Sequence, residues 1–338
     1  MDRRKILFIY NPVAGRGQIR WALDDVLRIF TGVGLLPVCY PTSARGDAVR
    51  LIREIRDEAA LAGTPFPYEM VICSGGDGTL DEVMNGLLGE LSEDRPALAG
   101  EASAEVLSAA GNSEAPLLVR NALTSVPVGY IPAGSTNDFA VSLGLSVHPL
   151  EAARALVRGR PQGVDIGCMN GSRYFVYVAA FGAFTEVSYD TPQEQKNLFG
   201  HAAYLFNGIR ELGNLRVRHT VVRSKECETE DDYVLGMITN ARSVGGFQGI
   251  TGTGVDLSDG LFEVTLIRMP QTPADVTEII AALNSGDLTK SACITHFQTQ
   301  RATFSFDENV SWTLDGEFGG TGREAVLENK MHGMNIIL

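Results

Sequence analysis

Positive charge is scarce in this sequence, and its cysteines form no recognisable pattern. Lys and Arg number 28 against 41 Asp and Glu, so the formal net charge is −13. A general nucleic-acid-binding protein needs a basic surface, so the charge balance predicts that nucleic acid is not a partner. The five cysteines are scattered without a CxxC pair. This excludes a disulfide framework and a cysteine-based zinc site, and it fits a reducing cytoplasm.

Long apolar runs are also missing. The basic start, Arg3-Arg4-Lys5, is followed by an apolar run that is too short for a signal peptide. No uninterrupted run approaches the roughly 20 residues of a membrane-spanning helix. We therefore expect a soluble, cytoplasmic protein that is at most peripheral to a membrane. Its 338 residues and 44% hydrophobic content suggest about two globular domains.

The first 145 residues alternate apolar strand patterns with amphipathic helix patterns. Such alternation predicts right-handed βαβ units and a parallel sheet, with ligands bound at the carboxyl ends of its strands. The pattern dissolves at about residues 90–125, which we interpret as an insertion into this domain. The predicted strands cover residues 5–10, 35–40, 70–72 and 126–131, and the predicted helices cover residues 19–30, 46–62 and 80–88.

The pattern changes after about residue 146. Strand-like runs then predominate, and Asn170-Gly171 is a strong hairpin signal between two of them. Residues 146–322 are therefore predicted to form an antiparallel, β-rich second domain. Closing strands within residues 323–338 are predicted to return to the first domain. The expected fold class is an α/β domain followed by an all-β domain.

A glycine-rich loop, Gly75-Gly76-Asp77-Gly78-Thr79, joins a predicted strand to a predicted helix. Glycines let the backbone approach a bulky ligand, and the N–H groups of a helix start favour an anion. Asp77 puts a carboxylate among these anion-binding groups, which makes sense where a divalent cation lies between it and phosphates. The loop predicts a nucleotide triphosphate site with magnesium, and an ordinary tight turn is the alternative.

Two further loops follow predicted strands in the first domain. Residues 11–17 combine an amide, a proline and two glycines, and residues 132–140 offer the hydroxyl of Ser135 and the amide of Asn137. Each loop alone is a weak signal, but their repeated position after strands favours a shared phosphate site. The chain has neither a GxxxxGK[ST] motif nor the paired motifs of protein kinases, so a P-loop fold and a protein-kinase-like fold are excluded.

Two acidic segments lie in the second half. Asp256 and Asp259 stand three residues apart in a predicted turn, which is either solvated or an oxygen-ligand cation site. Asp315-Gly316-Glu317 ends a predicted strand, and it is either a hairpin tip or the carrier of a general base. No single feature separates these interpretations.

Taken in order, these segments resemble the bacterial diacylglycerol kinase family, whose catalytic domain is shared by eukaryotic diacylglycerol and sphingosine kinases. The resemblance covers nearly the whole chain except residues 90–125. The matching segments are Asn11-Pro12-x-x-Gly15-x-Gly17, Gly75-Gly76-Asp77-Gly78-Thr79, Pro132-x-Gly134-Ser135-x-Asn137-Asp138-Phe139-Ala140, Lys196-x-x-x-Gly200-His201-x-Ala203-Tyr204, Asn240-Ala241, Gly245-Gly246-Phe247, Asp259-Gly260-Leu261 and Leu314-Asp315-Gly316-Glu317.

The resemblance implies an N-terminal α/β domain like that of NAD kinase and phosphofructokinase, a C-terminal β-sandwich, and ATP bound between them. Glu317 would take the proton of the lipid hydroxyl, Asp77 would act with a catalytic Mg²⁺, and Asp315 would belong to the catalytic group. The residues implied to bind the nucleotide are Asn11, Pro12, Gly15, Arg16, Gly17, Thr42, Gly75, Gly76, Asp77, Gly78, Thr79, Ser135 and Asn137.

The resemblance also implies a structural Mg²⁺ held by Asp259 and by the carbonyls of Asp256 and Leu261. Two departures from the family pattern bear on the second domain and on the signature loop. Phe184-Thr185 replaces a frequent aspartate-alanine pair, and Asp81 stands where asparagine is common. Both weaken any transfer of substrate identity from the family.

By this resemblance, the favoured function is an ATP-dependent lipid kinase that phosphorylates a hydroxyl of a membrane lipid, with diacylglycerol as the default acceptor. The alternatives are a NAD kinase-like small-molecule kinase and a non-catalytic nucleotide- or lipid-binding protein. The expected partners are the lipid, a transient contact with the inner face of the membrane, and a second copy in a homodimer. The basic run at residues 216–225 could dock on lipid head groups, but a charged strand face is the favoured interpretation.

Overall fold

The computed structural model describes residues 4–89, 126–183 and 216–338. The predicted insertion at 90–125, the motif from Lys196 to Tyr204 and the Phe184-Thr185 pair lie outside these residues. The described strands are β1 (Arg4–Tyr10), β2 (Leu35–Pro41), β3 (Met70–Gly75), β4 (Val128–Pro132), β5 (Pro161–Met169), β6 (Arg173–Phe175), β7 (Val178–Gly182), β8 (Arg218–Ser224), β9 (Glu228–Thr239), β10 (Phe262–Arg268), β11 (Ile294–Thr299), β12 (Arg301–Leu314) and β13 (Glu317–Ile337). The described helices are α1 (Gln18–Gly32), α2 (Asp47–Leu61), α3 (Asp77–Leu88), α4 (Asp138–Ser142), α5 (Pro149–Leu156) and α6 (Pro273–Ser285).

The first domain is built on a parallel sheet in the order β4-β3-β1-β2. Its strands are apolar on both faces because helices cover both sides. Ile6 and Phe8 of β1 pack with Phe30 of α1 on one side. Leu7 and Ile9 belong to the core on the other side, where α2 and α3 lie. All the loops predicted to bind phosphate leave this sheet at the carboxyl ends of its strands.

The second domain is antiparallel. β12 pairs with β7, β8 and β13, and β9 pairs with β7, β8 and β10. Its inner core is aromatic, with Phe181 within 5.0 Å of Trp312 between ring centroids and Phe304 beside both. The hairpin predicted at Asn170-Gly171 joins β5 to β6, and both turn residues take positive φ. The predicted fold class, α/β followed by a β-sandwich, is confirmed.

The segment at 323–338, predicted to hold closing strands, belongs to one long strand, β13, which extends from Glu317 to Ile337. It pairs with β12 along its first half and with β5 beyond that, and Ile336 pairs in parallel with Val128 of β4. The irregular stretch between Lys330 and Met334 does not end the strand. There His332 adopts φ 51°, and its N–H donates to the buried Asp165 at 2.8 Å, so a long-range contact holds the bulge.

Within residues 4–89, 126–183 and 216–338, no helix is both long and apolar enough to span a bilayer.

Candidate nucleotide and phosphoryl-transfer site

Three loops meet where strands β1, β3 and β4 end. Gly134 lies so close to Gly76 that a β-carbon at Gly134 would stand 2.6 Å from the Gly76 Cα. Gly15 adopts φ 53°, and a β-carbon there would stand 2.4 Å from the Ala133 carbonyl oxygen. Glycine is therefore required at both positions, because any side chain would force the loops apart. The loops line a cavity of about 430 Å³.

The glycine-rich loop and helix α3 form the floor of this cavity. A β-carbon at Gly75 would meet the Thr79 hydroxyl at 2.2 Å, so the strand can turn into the helix only with glycine there. Helix α3 begins at Asp77, directly after Gly76. This is the strand, glycine turn and helix expected from the sequence, and it places a helix start at the cavity, where an anion is favoured.

The loop between β2 and α2 forms one wall and is fixed from both sides. The Asp47 carboxylate accepts the N–H groups of Ser43 and Ala44 at 2.7 and 3.0 Å. The Glu82 carboxylate, from helix α3, accepts the N–H groups of Gly46 and Ala48 at 2.7 and 3.1 Å. The residue left between these two anchors is Arg45, whose side chain reaches into the cavity.

Asp77 lies beside the cavity in a buried acidic group. It accepts the Tyr130 hydroxyl at 3.2 Å and the Asp138 N–H at 2.9 Å. Burial, followed by the charge of Asp138, raises the pKa of Asp77 to about 7. The Asp138 carboxylate in turn accepts the Ser243 hydroxyl at 2.6 Å and the Gly245 N–H at 2.7 Å. Asp138 thus joins the first domain to the second next to Asp77.

The turn between β12 and β13 brings the second domain to the cavity. Asp315 takes φ 50°, and its carboxylate accepts the N–H groups of Val176, Tyr177 and Val178. Burial raises the pKa of Asp315 to about 6 even though these three N–H groups act to lower it. Two residues later, Glu317 lines the cavity with 26% of its side chain exposed. Asp315 therefore holds the turn that presents Glu317.

Glu317 stands directly over the start of helix α3. A β-carbon at Gly78 would lie 3.7 Å from Glu317 Oε1, so the carboxylate faces the glycine-rich loop. The other oxygen, Oε2, pairs with the guanidinium of Arg45. A carboxylate at this position can accept a proton from a hydroxyl group that attacks a phosphate bound at the loops.

A second ionic contact ties helix α3 to the hairpin of β5 and β6. Arg173 Nη2 lies 3.1 Å from Asp81 Oδ2, and Asn85 both donates to the Tyr174 carbonyl and accepts its N–H at 3.0 Å. Burial raises the pKa of Asp81 well above its usual range, and the Asp315 carboxyl beside it raises it further. Asp81 and Asp315 thus meet beneath Glu317.

Eight of the predicted site residues line this cavity. Those that line the cavity are Asn11, Gly15, Thr42, Gly76, Gly78, Thr79, Ser135 and Glu317. Among the described residues, those predicted to bind the nucleotide that stand outside the lining are Pro12, Arg16, Gly17, Gly75, Asp77 and Asn137. Asn137 is engaged elsewhere, because its amide oxygen accepts the Gly134 N–H at 2.8 Å and its amide nitrogen donates to the Gly134 carbonyl at 3.0 Å. It shapes the loop that carries Ser135.

The acidic turn predicted to bind structural magnesium lies away from this lining. Asp256 Oδ1 accepts the Ser258 N–H at 3.0 Å, and Asp259 Oδ1 accepts the Leu261 N–H at 2.9 Å. The Leu261 carbonyl accepts the Asn329 amide at 3.0 Å, and the Asn329 Oδ1 atom is buried without a described partner. Both carboxylates of this turn thus accept N–H groups of the turn itself, and neither aspartate lines the cavity between the loops.

Sequence reasoning missed two side chains that line the cavity and two that hold Asp77. Arg45 and Glu82 line the cavity, and Asp138 and Tyr130 hold Asp77. Their contacts join residues far apart in the chain, which no local pattern reveals. Asp138 did belong to the motif at 132–140, and its position next to Asn137 was the available signal.

The basic run at residues 216–225 is matched by acids. Arg218 pairs with Glu308, and Arg223 Nε lies 3.0 Å from Glu228. His219 contacts Asp232 at 3.0 Å. Strand β8 thus carries cations that pair with neighbouring acids.

Comparison with known sequences gives two matches that together span most of the chain. Residues 5–169 match the diacylglycerol kinase catalytic domain, and residues 179–328 match the YegS C-terminal NAD kinase beta sandwich-like domain. A diacylglycerol kinase of Bacillus subtilis (strain 168) is 30% identical over 95% of this chain and 91% of its own length. A diacylglycerol kinase of Staphylococcus saprophyticus is 28% identical over 98% of this chain and 94% of its own length.

Solved structures show the same fold at lower identity. A diacylglycerol kinase from Bacillus anthracis str. Sterne superposes with a TM-score of 0.65 at 19% identity, over 100% of this chain and 97% of that chain. A second structure from the same strain superposes with a TM-score of 0.73 at 22% identity, over 99% and 95% of the two chains.

Proposed function

This chain belongs to the diacylglycerol kinase family, as its motifs predicted, and we propose that it transfers the γ-phosphate of ATP to a hydroxyl of a membrane lipid. The default acceptor is diacylglycerol, which gives phosphatidic acid. The observation that carries the proposal is the position of Glu317, a carboxylate of the second domain that faces the glycine-rich loop of the first domain across one cavity. Transfer to an alcohol needs a proton acceptor opposite bound phosphates.

Each part of the cavity has a task in the proposed reaction. The lipid hydroxyl oxygen forms a bond to the γ-phosphorus, the bond from that phosphorus to the bridging oxygen breaks, and ADP leaves. Glu317 takes the hydroxyl proton. The loops at Gly15, Gly76 and Ser135 hold the polyphosphate, and Asp315 positions the turn that carries Glu317. Because little covalent chemistry is asked of the protein, positioning and charge neutralisation provide most of the rate.

The acidic group at Asp77 fits a hard divalent cation. Asp77 and Asp138 are buried oxygen donors, and among the described residues neither takes part in an ion pair. We propose that Asp77 holds a catalytic Mg²⁺, which when bound would neutralise charge on the β- and γ-phosphates. The turn of Asp256, Asp259 and Leu261 fits a second, structural Mg²⁺, since its donors are all oxygens and a buried orphan oxygen of Asn329 lies beside it.

The acceptor determines where the protein works. Diacylglycerol stays in a bilayer whereas ATP is dissolved in the cytoplasm, so the proposed reaction takes place at the inner face of the membrane, with a transient contact. A homodimer stays a prediction from the sequence.

The test is phosphoryl transfer from radiolabelled ATP to lipid in mixed micelles. We expect wild-type protein to label diacylglycerol and Glu317→Gln to lose at least about 10²-fold in kcat while it still binds ATP, because the variant removes only the proton acceptor. Ser311→Ala, on the exposed part of β12, serves as the control.

Two acceptor arms decide against the alternatives. NAD is supplied in place of lipid, and a total bacterial lipid extract is supplied with the products identified by mass. Labelling of NAD alone would support a small-molecule kinase. Absence of any labelled product, with ATP binding intact, would support a binding protein and overturn the proposed function.

A further inference from the structure

The ion pair between Arg45 and Glu317 places a cation on the very group that the reaction needs as a proton acceptor. Arg45 Nη2 contacts Glu317 Oε2, and both side chains line the nucleotide cavity. Among the described residues that line this cavity, Arg45 is the only one with a positive charge. A bound triphosphate is strongly anionic, and charge-assisted hydrogen bonds from a guanidinium stabilise it.

The loop around Arg45 is built to aim the side chain. Its backbone neighbours are held by two carboxylates, Asp47 on the N-terminal side and Glu82 on the C-terminal side, through N–H donors at 2.7 to 3.1 Å. The Arg45 side chain itself is 63% exposed, so it can change partners while its backbone stays in place. A fixed backbone with an exposed guanidinium suits a ligand-binding arginine better than a purely structural ion pair.

The partner that Arg45 has here is also the wrong one for catalysis. The guanidinium occupies Glu317 Oε2, so that only Oε1, which faces the glycine-rich loop, is left for the hydroxyl of an acceptor. Exposed or half-exposed ion pairs contribute little free energy, so an incoming polyphosphate can compete for Arg45. A guanidinium fork matches phosphate oxygens with two parallel hydrogen bonds, which a lone carboxylate oxygen does not offer.

We propose that Arg45 is a phosphate-binding residue that leaves Glu317 when ATP enters the cavity, so that nucleotide binding frees the general base. The proposal rests on the function proposed above and deepens it, because it adds a residue to the nucleotide site and couples that site to the base. By thermodynamic linkage, Glu317 must then weaken ATP binding through its hold on Arg45.

The test is a cycle of ATP affinities measured by calorimetry without lipid. The proteins are wild type, Glu317→Gln, Arg45→Gln and the double variant. We expect Glu317→Gln to bind ATP about three- to fivefold tighter than wild type, as expected for release of a half-exposed ion pair. We expect Arg45→Gln to bind ATP about tenfold more weakly than wild type. The double variant should have the same ATP affinity as Arg45→Gln to within about twofold.

Simple repulsion between Glu317 and the phosphates predicts a different pattern. If repulsion alone acts, Glu317→Gln raises the ATP affinity at least as much in the Arg45→Gln background as in wild type. This outcome overturns the proposal. Unchanged affinity of Arg45→Gln overturns it as well. Arg28→Gln, which removes an exposed ion pair on helix α1, controls for bulk charge and should leave the affinity within twofold of wild type.

Turnover supplies a second readout that a merely structural role would not move. Arg45→Gln should raise KM for ATP and lower kcat together, and Arg45→Lys should recover part of both, since it keeps the charge but not the fork. Circular dichroism at each temperature of a melt checks that the variants fold. The affinity cycle does not depend on which lipid is phosphorylated, so failure of the proposed function and failure of this inference give different results.

Discussion

Acidic side chains surround the cleft between the two domains, which contains the cavity at the glycine-rich loop, and they also cover strands β8 and β9. The two sets differ in their partners. In the cleft, Asp138 and Asp315 are buried and accept backbone N–H groups. On β8 and β9, Glu228 and Asp232 are exposed and face Arg223 and His219. Asp138 and Asp315 are thus placed by neutral donors, whereas these surface carboxylates are neutralised by cations.

The difference indicates what each set is for. A neutral N–H donor fixes a carboxylate in position but leaves its charge to be compensated by a ligand or a proton. Exposed ion pairs are already compensated, screened by solvent and worth little. Charge that is buried and uncompensated is costly, so its presence beside a cavity points to function.

The largest expected effect that separates the two sets is on catalysis. We expect Asp77→Asn to lower kcat by about 10²- to 10³-fold, because it removes a charge at which a cation and the phosphates meet. The variant keeps acceptor and donor groups that Tyr130 and the Asp138 N–H can use, so its fold should persist. The measurement is kcat with diacylglycerol in mixed micelles.

Asp232→Asn is the matched control for this prediction, since Asp232 is exposed on β9. It should keep kcat within about twofold of wild type. More than about a tenth of wild-type kcat in Asp77→Asn, or an equal loss in both variants, would contradict the distinction between the two sets.

The next effect concerns stability and pH at Asp81. Burial raises the pKa of Asp81 above 3.8, so the folded state keeps its proton to higher pH than the unfolded state does. Its contribution to the free energy of unfolding is therefore complete below pH 3.8 and is lost as pH rises through the folded-state pKa. Asp315 beside it, with a pKa raised to about 6, behaves in the same direction.

Asp81→Asn removes this titration, so the variant does not lose the stability that wild type loses as pH rises. We therefore expect the difference in free energy of unfolding, variant minus wild type, to increase by roughly 1 to 3 kcal/mol between pH 4 and pH 8. Urea unfolding at several pH values measures it. Asp24→Asn, at an exposed ion pair of helix α1, should give a profile parallel to wild type. A parallel profile for Asp81→Asn would show that Asp81 is ionised in the folded state throughout this range.

The sequence allowed the fold to be predicted where an element depends on the spacing of apolar or turn residues that are close together in the chain. The alternating strands and helices of the first domain and the Asn170-Gly171 hairpin are of this kind, because each depends on residues within about 15 positions. The unbroken course of β13 was missed, since it depends on Asp165 accepting the N–H of His332 across the chain. Arg45 was missed for the same reason, as its partner Glu317 lies in the other domain.

The smallest expected effect is on the charged strand face. Arg223→Gln removes one side of an exposed ion pair on β8, so we expect the midpoint of thermal unfolding to move by only about 1 °C. Binding to vesicles of phosphatidylglycerol should also stay within twofold of wild type in a sedimentation assay, because the acids of β9 already neutralise this face. A strong loss of vesicle binding would instead make β8 a membrane-docking surface. It would also show that exposed, ion-paired side chains of this protein can have a function, which would contradict the distinction between these side chains and the buried carboxylates of the cleft.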